Sequence, residues 1–196
     1  MIALFYGGAS SGKSKLAEDF AVAKNAQAQQ NAEIQENAEM QQNAQAQQNA
    51  EALKSLTYLA TMQPFGDAGK RRIENHKKKR EGKGFEVCEQ FTDIANANVN
   101  SGTVLLECVG NLLANEMFSV ENIPQNVCEI ILSGIEKLSQ KCDNLIIVSS
   151  DLSGGCENPT AETLEYINNM QKINSGICEI CNEVYRVCVG IAIKQK

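Results

Sequence analysis

The first residues able to do chemistry are Gly7, Gly8, Ala9, Ser10, Ser11, Gly12, Lys13 and Ser14, which satisfy the pattern G-x-x-x-x-G-K-[ST]. Glycines let such a loop wrap its backbone N–H groups around phosphate oxygens, and a helix beginning at its end adds the positive end of its dipole. Lys13 would place a point charge on the β- and γ-phosphates of a nucleotide, and Ser14 would ligate Mg²⁺. A site of this kind also needs an acid at the end of a neighbouring strand, to hold the metal or its water. Glu107, closing Val104-Leu105-Leu106, is the first candidate, and Asp151, just after Ile146-Ile147-Val148, the second.

His76 is the one histidine of the chain and lies in Arg-Ile-Glu-Asn-His-Lys-Lys-Lys-Arg, residues 72–80. On a helix Arg72, His76 and Arg80 recur at i, i+4 and i+8 and so share a face. An imidazole between guanidinium groups is a candidate nucleophile toward a nucleotide phosphate, because the cations can hold phosphates in line and offset charge in the transition state. Residues 70–83 hold eight of the eighteen Lys and Arg against two acids, so this segment is about +6 within a chain of net charge -6. The acidic total argues against nucleic acid as a partner, and the basic segment marks one place for a polyanionic ligand.

These residues need elements to position them. Residues 2–6 are expected to form a buried strand and Ser14 to about Lys24 a helix, which gives the strand, loop and helix order that a phosphate loop requires. Further strands are expected at 56–61, 104–108, 145–149, 183–189 and 191–194, and helices at 69–80, 110–118, 127–141 and 166–181. Strands alternating with helices predict an α/β fold, a mostly parallel sheet flanked by helices in three layers, of the P-loop NTPase (RecA-like) kind. At 196 residues a single domain is expected over 1–196, interrupted at about 25–52 by a repeat of six residues opening Asn-Ala-(Gln/Glu). A period of six does not hold one face of a helix, so the repeat reads as a solvated helical extension or a disordered insertion without chemistry of its own.

No apolar run approaches the roughly 18 residues of a membrane span, and no export signal is evident, so a cytoplasmic protein is expected. Its eight cysteines then read as reduced thiols. Cys178 and Cys181 form C-x-x-C, but without a second pair or another histidine they are expected to be buried thiols, as is Cys188.

In this order the motifs resemble the bifunctional adenosylcobinamide kinase / adenosylcobinamide-phosphate guanylyltransferase family of cobalamin biosynthesis. The phosphate loop looks like the family's G-G-A-R-S-G-K-S, and Tyr58 to Thr61 like its Y-I-A-T. Residues 72–80 fit R-I-x-x-H-x-x-x-R, Leu105 to Cys108 with Asn115 fit a third block, and Val189 to Lys194 resemble the terminal G-I-P-x-x-K. The resemblance implies two activities with Mg²⁺, ATP and GTP: phosphorylation of adenosylcobinamide, then transfer of GMP to the product through a guanylylated histidine that maps to His76. Lys13 and Glu107 would join His76 in catalysis, Arg72 and Arg80 would bind nucleotide with the loop, and a homotrimer is implied. Ser10 stands where the family has arginine, Ser149 to Ser153 replace T-N-E-V-G, and Leu164 and Ile167 replace two arginines when Asn174 is aligned with the family asparagine. Single-activity enzymes and a non-catalytic nucleotide-binding module are the competing readings.

Overall fold

The computed structural model describes residues 1–39, 55–99, 102–118, 126–154 and 157–196. Seven strands form one sheet: β1 (Ile2–Gly7), β2 (Leu56–Ala60), β3 (Glu86–Glu89), β4 (Thr103–Glu107), β5 (Asn144–Ser150), β6 (Glu183–Cys188) and β7 (Ile191–Lys194). Their spatial order is β3-β2-β4-β5-β1-β6-β7, parallel throughout except for the terminal β6–β7 hairpin. Among the described residues five α-helices accompany it: α1 (Lys13–Glu39), α2 (Gly66–Arg80), α3 (Val109–Phe118), α4 (Val127–Ser139) and α5 (Ala161–Ile180).

The central strands are continuous apolar runs because both of their faces are covered. On one face Phe5, Tyr58, Leu105, Ile146 and Val148 pack with Ala17 and Ala21 of α1. On the other, Leu4, Leu59, Leu106 and Ile147 pack with apolar residues of α3, α4 and α5. The result is a three-layer, mostly parallel α/β fold, as the alternation of strands and helices predicts. Because β5 lies between β1 and β4, the phosphate loop at the end of β1 and Glu107 at the end of β4 open onto the same edge of the sheet with one strand between them.

Several boundaries differ from the sequence expectation. Helix α1 runs on past Lys24 through the first copies of the repeat to Glu39, with Ile34 exposed. Ala, Gln and Glu carry enough helix propensity to extend a helix already nucleated by its packed first turns. The rest of the repeat, from Met40, lies outside the described residues. Helix α2 begins at Gly66 rather than Gly69, and α5 at Ala161 rather than Tyr166, where the Thr160 hydroxyl accepts the Thr163 N–H at 3.2 Å. Strand β3 escaped notice because it is a four-residue edge strand with charged ends.

Candidate functional site

The phosphate loop is tightly determined. A Cβ on Gly7 would stand 2.3 Å from the Val187 carbonyl oxygen and 2.9 Å from Ser11 Oγ, so only glycine fits there. Gly12 has φ of 92°, a left-handed conformation that glycine adopts freely. The tip of the β6–β7 hairpin braces the loop from outside, with the Gly190 N–H donating to the Ser11 carbonyl at 2.7 Å. At the start of α1, Lys13 Nζ donates to the Gly8 carbonyl at 3.1 Å, and the Ser14 side chain hydrogen-bonds the Glu107 carboxyl.

Glu107 is only 6% exposed, and among the described residues its Oε2 has no hydrogen-bond partner. Burial pushes this carboxyl above its ordinary range, against the lowering effects of the Ser14 hydrogen bond and of His76. Its position is secured from behind by Thr61, whose Oγ1 donates to the Cys108 carbonyl at 2.9 Å and accepts the Cys108 N–H at 2.8 Å. Asn115 fixes the neighbouring turns, donating from Nδ2 to the carbonyls of Thr61 and Phe91 at 2.7 and 2.8 Å. The threonine and asparagine of two sequence motifs thus hold the floor on which the acid stands.

Helix α2 lies over the same face as α1 and brings His76 to this acid, with Nδ1 3.9 Å from Glu107 Oε1. Its end is tied to α1 by Lys83, whose Nζ donates to Glu18 Oε2 at 2.8 Å and Asp19 Oδ1 at 3.0 Å. Burial alone would lower the Lys83 ammonium, but these two carboxylates outweigh it and hold the group above 10.5. Sequence reasoning missed this latch, because 64 or 65 residues separate its partners.

The cleft between α2 and the carboxyl ends of the strands has a volume of about 410 Å³. Ala9, Ser10, Lys13, Ser14, Arg72, His76, Arg80 and Glu107 all line it, so the structure gathers most of the expected site in one place. A second cavity, of about 690 Å³, opens beside Gly12, Lys15, Asp19 and Lys83, and His76 and Ser14 line both.

Two expected residues are placed differently. Arg80 is buried, with its guanidinium carbon 3.5 Å from the centroid of the Tyr58 ring and its Nη1 enclosed without an acceptor among the described residues. It forms part of the wall of the cleft. Asp151 turns away: its carboxylate accepts from the Ser153 N–H and hydroxyl and from Arg186 at 3.4 Å, and it lines neither cavity. The Ser153 hydroxyl and N–H, followed by Arg186, hold the Asp151 carboxyl below its ordinary range.

Among the described residues no cluster of three or more His, Cys, Asp and Glu is arranged to hold a metal ion. Ser14 and Glu107 nevertheless offer paired oxygen donors, and the unpartnered Oε2 of Glu107 suits a hard divalent cation. The cysteines described are free thiols. Cys181 is buried as expected, whereas Cys178 is only half-buried and Cys188 is exposed because it faces outward on the terminal hairpin. No described helix is long and apolar enough to cross a membrane.

Comparison with known proteins bears on this constellation. The sequence profile of cobinamide kinase / cobinamide phosphate guanyltransferase matches residues 41–195. The chain belongs to that family. Its match takes in α2 with His76, β4 with Glu107 and the terminal hairpin. The chain is also 25% identical over 153 residues to the bifunctional adenosylcobalamin biosynthesis protein CobU of Escherichia coli (strain K12), an alignment covering 71% of this chain and 84% of that one. Among solved structures, a KaiC-like protein of Pyrococcus horikoshii OT3 aligns over 94% of this chain and 69% of its own, with a TM-score of 0.40 and 12% identity.

Proposed function

We propose that the protein is a cobalamin-biosynthesis transferase that phosphorylates adenosylcobinamide from ATP or GTP and then transfers GMP from GTP onto the product through His76. The observation that carries this reading is the meeting of an imidazole, a buried carboxyl and a phosphate loop in one cleft. Any one of these features alone would fit a simpler nucleotide-binding protein. An imidazole beside the triphosphate site is a nucleophile in position.

In the guanylyl transfer the β- and γ-phosphates rest on the loop N–H groups and Lys13. Nδ1 of His76 is turned toward Glu107, which leaves Nε2 for the α-phosphorus. A bond forms from that nitrogen to phosphorus as the bond to the β-phosphate oxygen breaks, and pyrophosphate leaves. The Glu107 carboxylate faces the positive charge that develops on the ring. A phosphate oxygen of adenosylcobinamide phosphate then attacks the same phosphorus and displaces the imidazole, giving adenosylcobinamide-GDP. His76 lines both cavities, so each gives access to its imidazole. Ser14 and Glu107 are the residues to hold Mg²⁺, which would neutralise phosphate charge. In the kinase step the loop and Lys13 present the γ-phosphorus to the corrinoid hydroxyl.

The test is incubation with Mg²⁺ and GTP labelled at the α-phosphate. The wild-type protein should form an acid-labile, base-stable adduct, and His76→Ala should form none. Absence of label on the wild type, or equal label on the variant, refutes the guanylyl transfer. A parallel assay with γ-labelled ATP or GTP and adenosylcobinamide reads the kinase step, and no corrinoid phosphate would reduce the proposal to a guanylyltransferase.

A further inference from the structure

Two successive transfers at one phosphorus constrain where their partners bind. When Nε2 of His76 attacks the α-phosphorus of GTP, pyrophosphate leaves from the position in line with that nitrogen. The second transfer runs back along the same line, because the imidazole is now the leaving group. The phosphate of adenosylcobinamide phosphate therefore enters where pyrophosphate left. That place is the phosphate loop, whose N–H groups and Lys13 held the β- and γ-phosphates.

The loop can be reached by a second way. With a nucleotide in the cleft under α2, the cavity of about 690 Å³ still borders the loop from Ser10 to Ser14. It also holds two lysines that the first cleft does not, Lys15 and Lys83. Lys83 is paired with Glu18 at 2.8 Å and Asp19 at 3.0 Å, so its charge is already matched. Lys15, in the first turn of α1, is exposed and has no ion pair or hydrogen bond among the described residues. It lines this cavity together with Lys13, an uncommitted cation beside a phosphate site.

We infer that the phosphate loop serves a second time, as the seat of the acceptor's phosphate, and that Lys15 binds this phosphate as the corrinoid enters through the larger cavity. An oxygen of the seated phosphate forms a bond to the α-phosphorus, the bond from phosphorus to Nε2 breaks, and its electron pair returns to the ring. A phosphate monoester carries close to two negative charges at neutral pH, and Lys15 adds a second cation to Lys13 there. Pyrophosphate and acceptor then exclude each other, which orders the events: GTP loads His76, pyrophosphate departs, and the acceptor takes its place. The inference rests on the proposed guanylylation of His76 but concerns the acceptor, on which the loading of His76 does not depend.

The test starts from enzyme labelled with α-labelled GTP, freed of nucleotide, and mixed with a fixed concentration of pyrophosphate and rising adenosylcobinamide phosphate. The ratio of GTP to adenosylcobinamide-GDP formed should fall in inverse proportion to the acceptor. A constant fraction of label still returning to GTP at saturating acceptor means two separate sites and overturns the shared seat. Lys15→Met should slow transfer to the acceptor about 10-fold while label formation from GTP holds within about twofold. Lys15→Arg should restore the transfer. Equal losses in label formation and transfer, or no loss in either, would remove Lys15 from the acceptor site and leave the guanylylated histidine standing. If the wild type takes no label, the guanylyl transfer itself is refuted and this inference falls with it.

Discussion

Replacing Glu107 by glutamine should make the protein more stable and less active, with the stability gain depending on pH. The carboxyl is almost fully enclosed, and burial raises it above the ordinary glutamate value of 4.5. In the window above that value the folded state binds more protons than the unfolded chain, so stability falls as pH rises through it. Each unit by which the folded value exceeds the unfolded one costs about 1.4 kcal/mol once pH is above both. A carboxylate held charged in such a place, with Oε2 unpartnered among the described residues, costs about 1–3 kcal/mol more than a neutral group there. A neutral amide of the same shape keeps an acceptor for Ser14 and removes the charge. Glu107→Gln should therefore gain about 1–3 kcal/mol at pH 8, which for a chain of this size raises Tm by roughly 2–10 °C. The gain should shrink toward zero as pH approaches 4.5. Thermal unfolding of both proteins from pH 4.5 to 8.5, without nucleotide or metal, measures it. In the same variant, added Mg²⁺ and GTP should stabilise less than they do in the wild type, because binding to the native state would be weakened. A variant less stable at pH 8, or a difference that does not change with pH, would refute the argument that burial sets the behaviour of this carboxyl.

Two further changes probe how the site is supported. Lys83→Met leaves the buried Glu18 without its cation and should destabilise by about 1–3 kcal/mol. Urea unfolding at low and high salt checks this, and the label on His76 should fall with it because the latch holds the end of α2. Asn115→Ala strips the carbonyls of Thr61 and Phe91 of their donor, and a loss of about 1–3 kcal/mol is expected. Its guanylylation rate should drop more than its affinity for GDP, since the phosphate loop is untouched while the floor beneath Glu107 loosens.

The phosphate loop, the order of strands and helices, and the pairing of His76 with a basic helix were legible in the sequence, because each depends on local spacing or on a short apolar run. Strand β3 was not, since four residues with charged ends give no period to read and become a strand only by pairing with β2. The fate of Arg80 was also hidden. Helical spacing put it on the face of His76, but Tyr58 on β2 receives its guanidinium, and nothing local to α2 announces that ring. Asp151 has the position of a strand-end acid in sequence, yet Ser153 and Arg186 claim its carboxylate. Residue types and local periodicity determined which chemical groups this chain carries and which elements bear them. Tertiary structure decided which of those groups meet, because the strand order set Glu107 one strand away from the phosphate loop and the Lys83 latch set His76 against it.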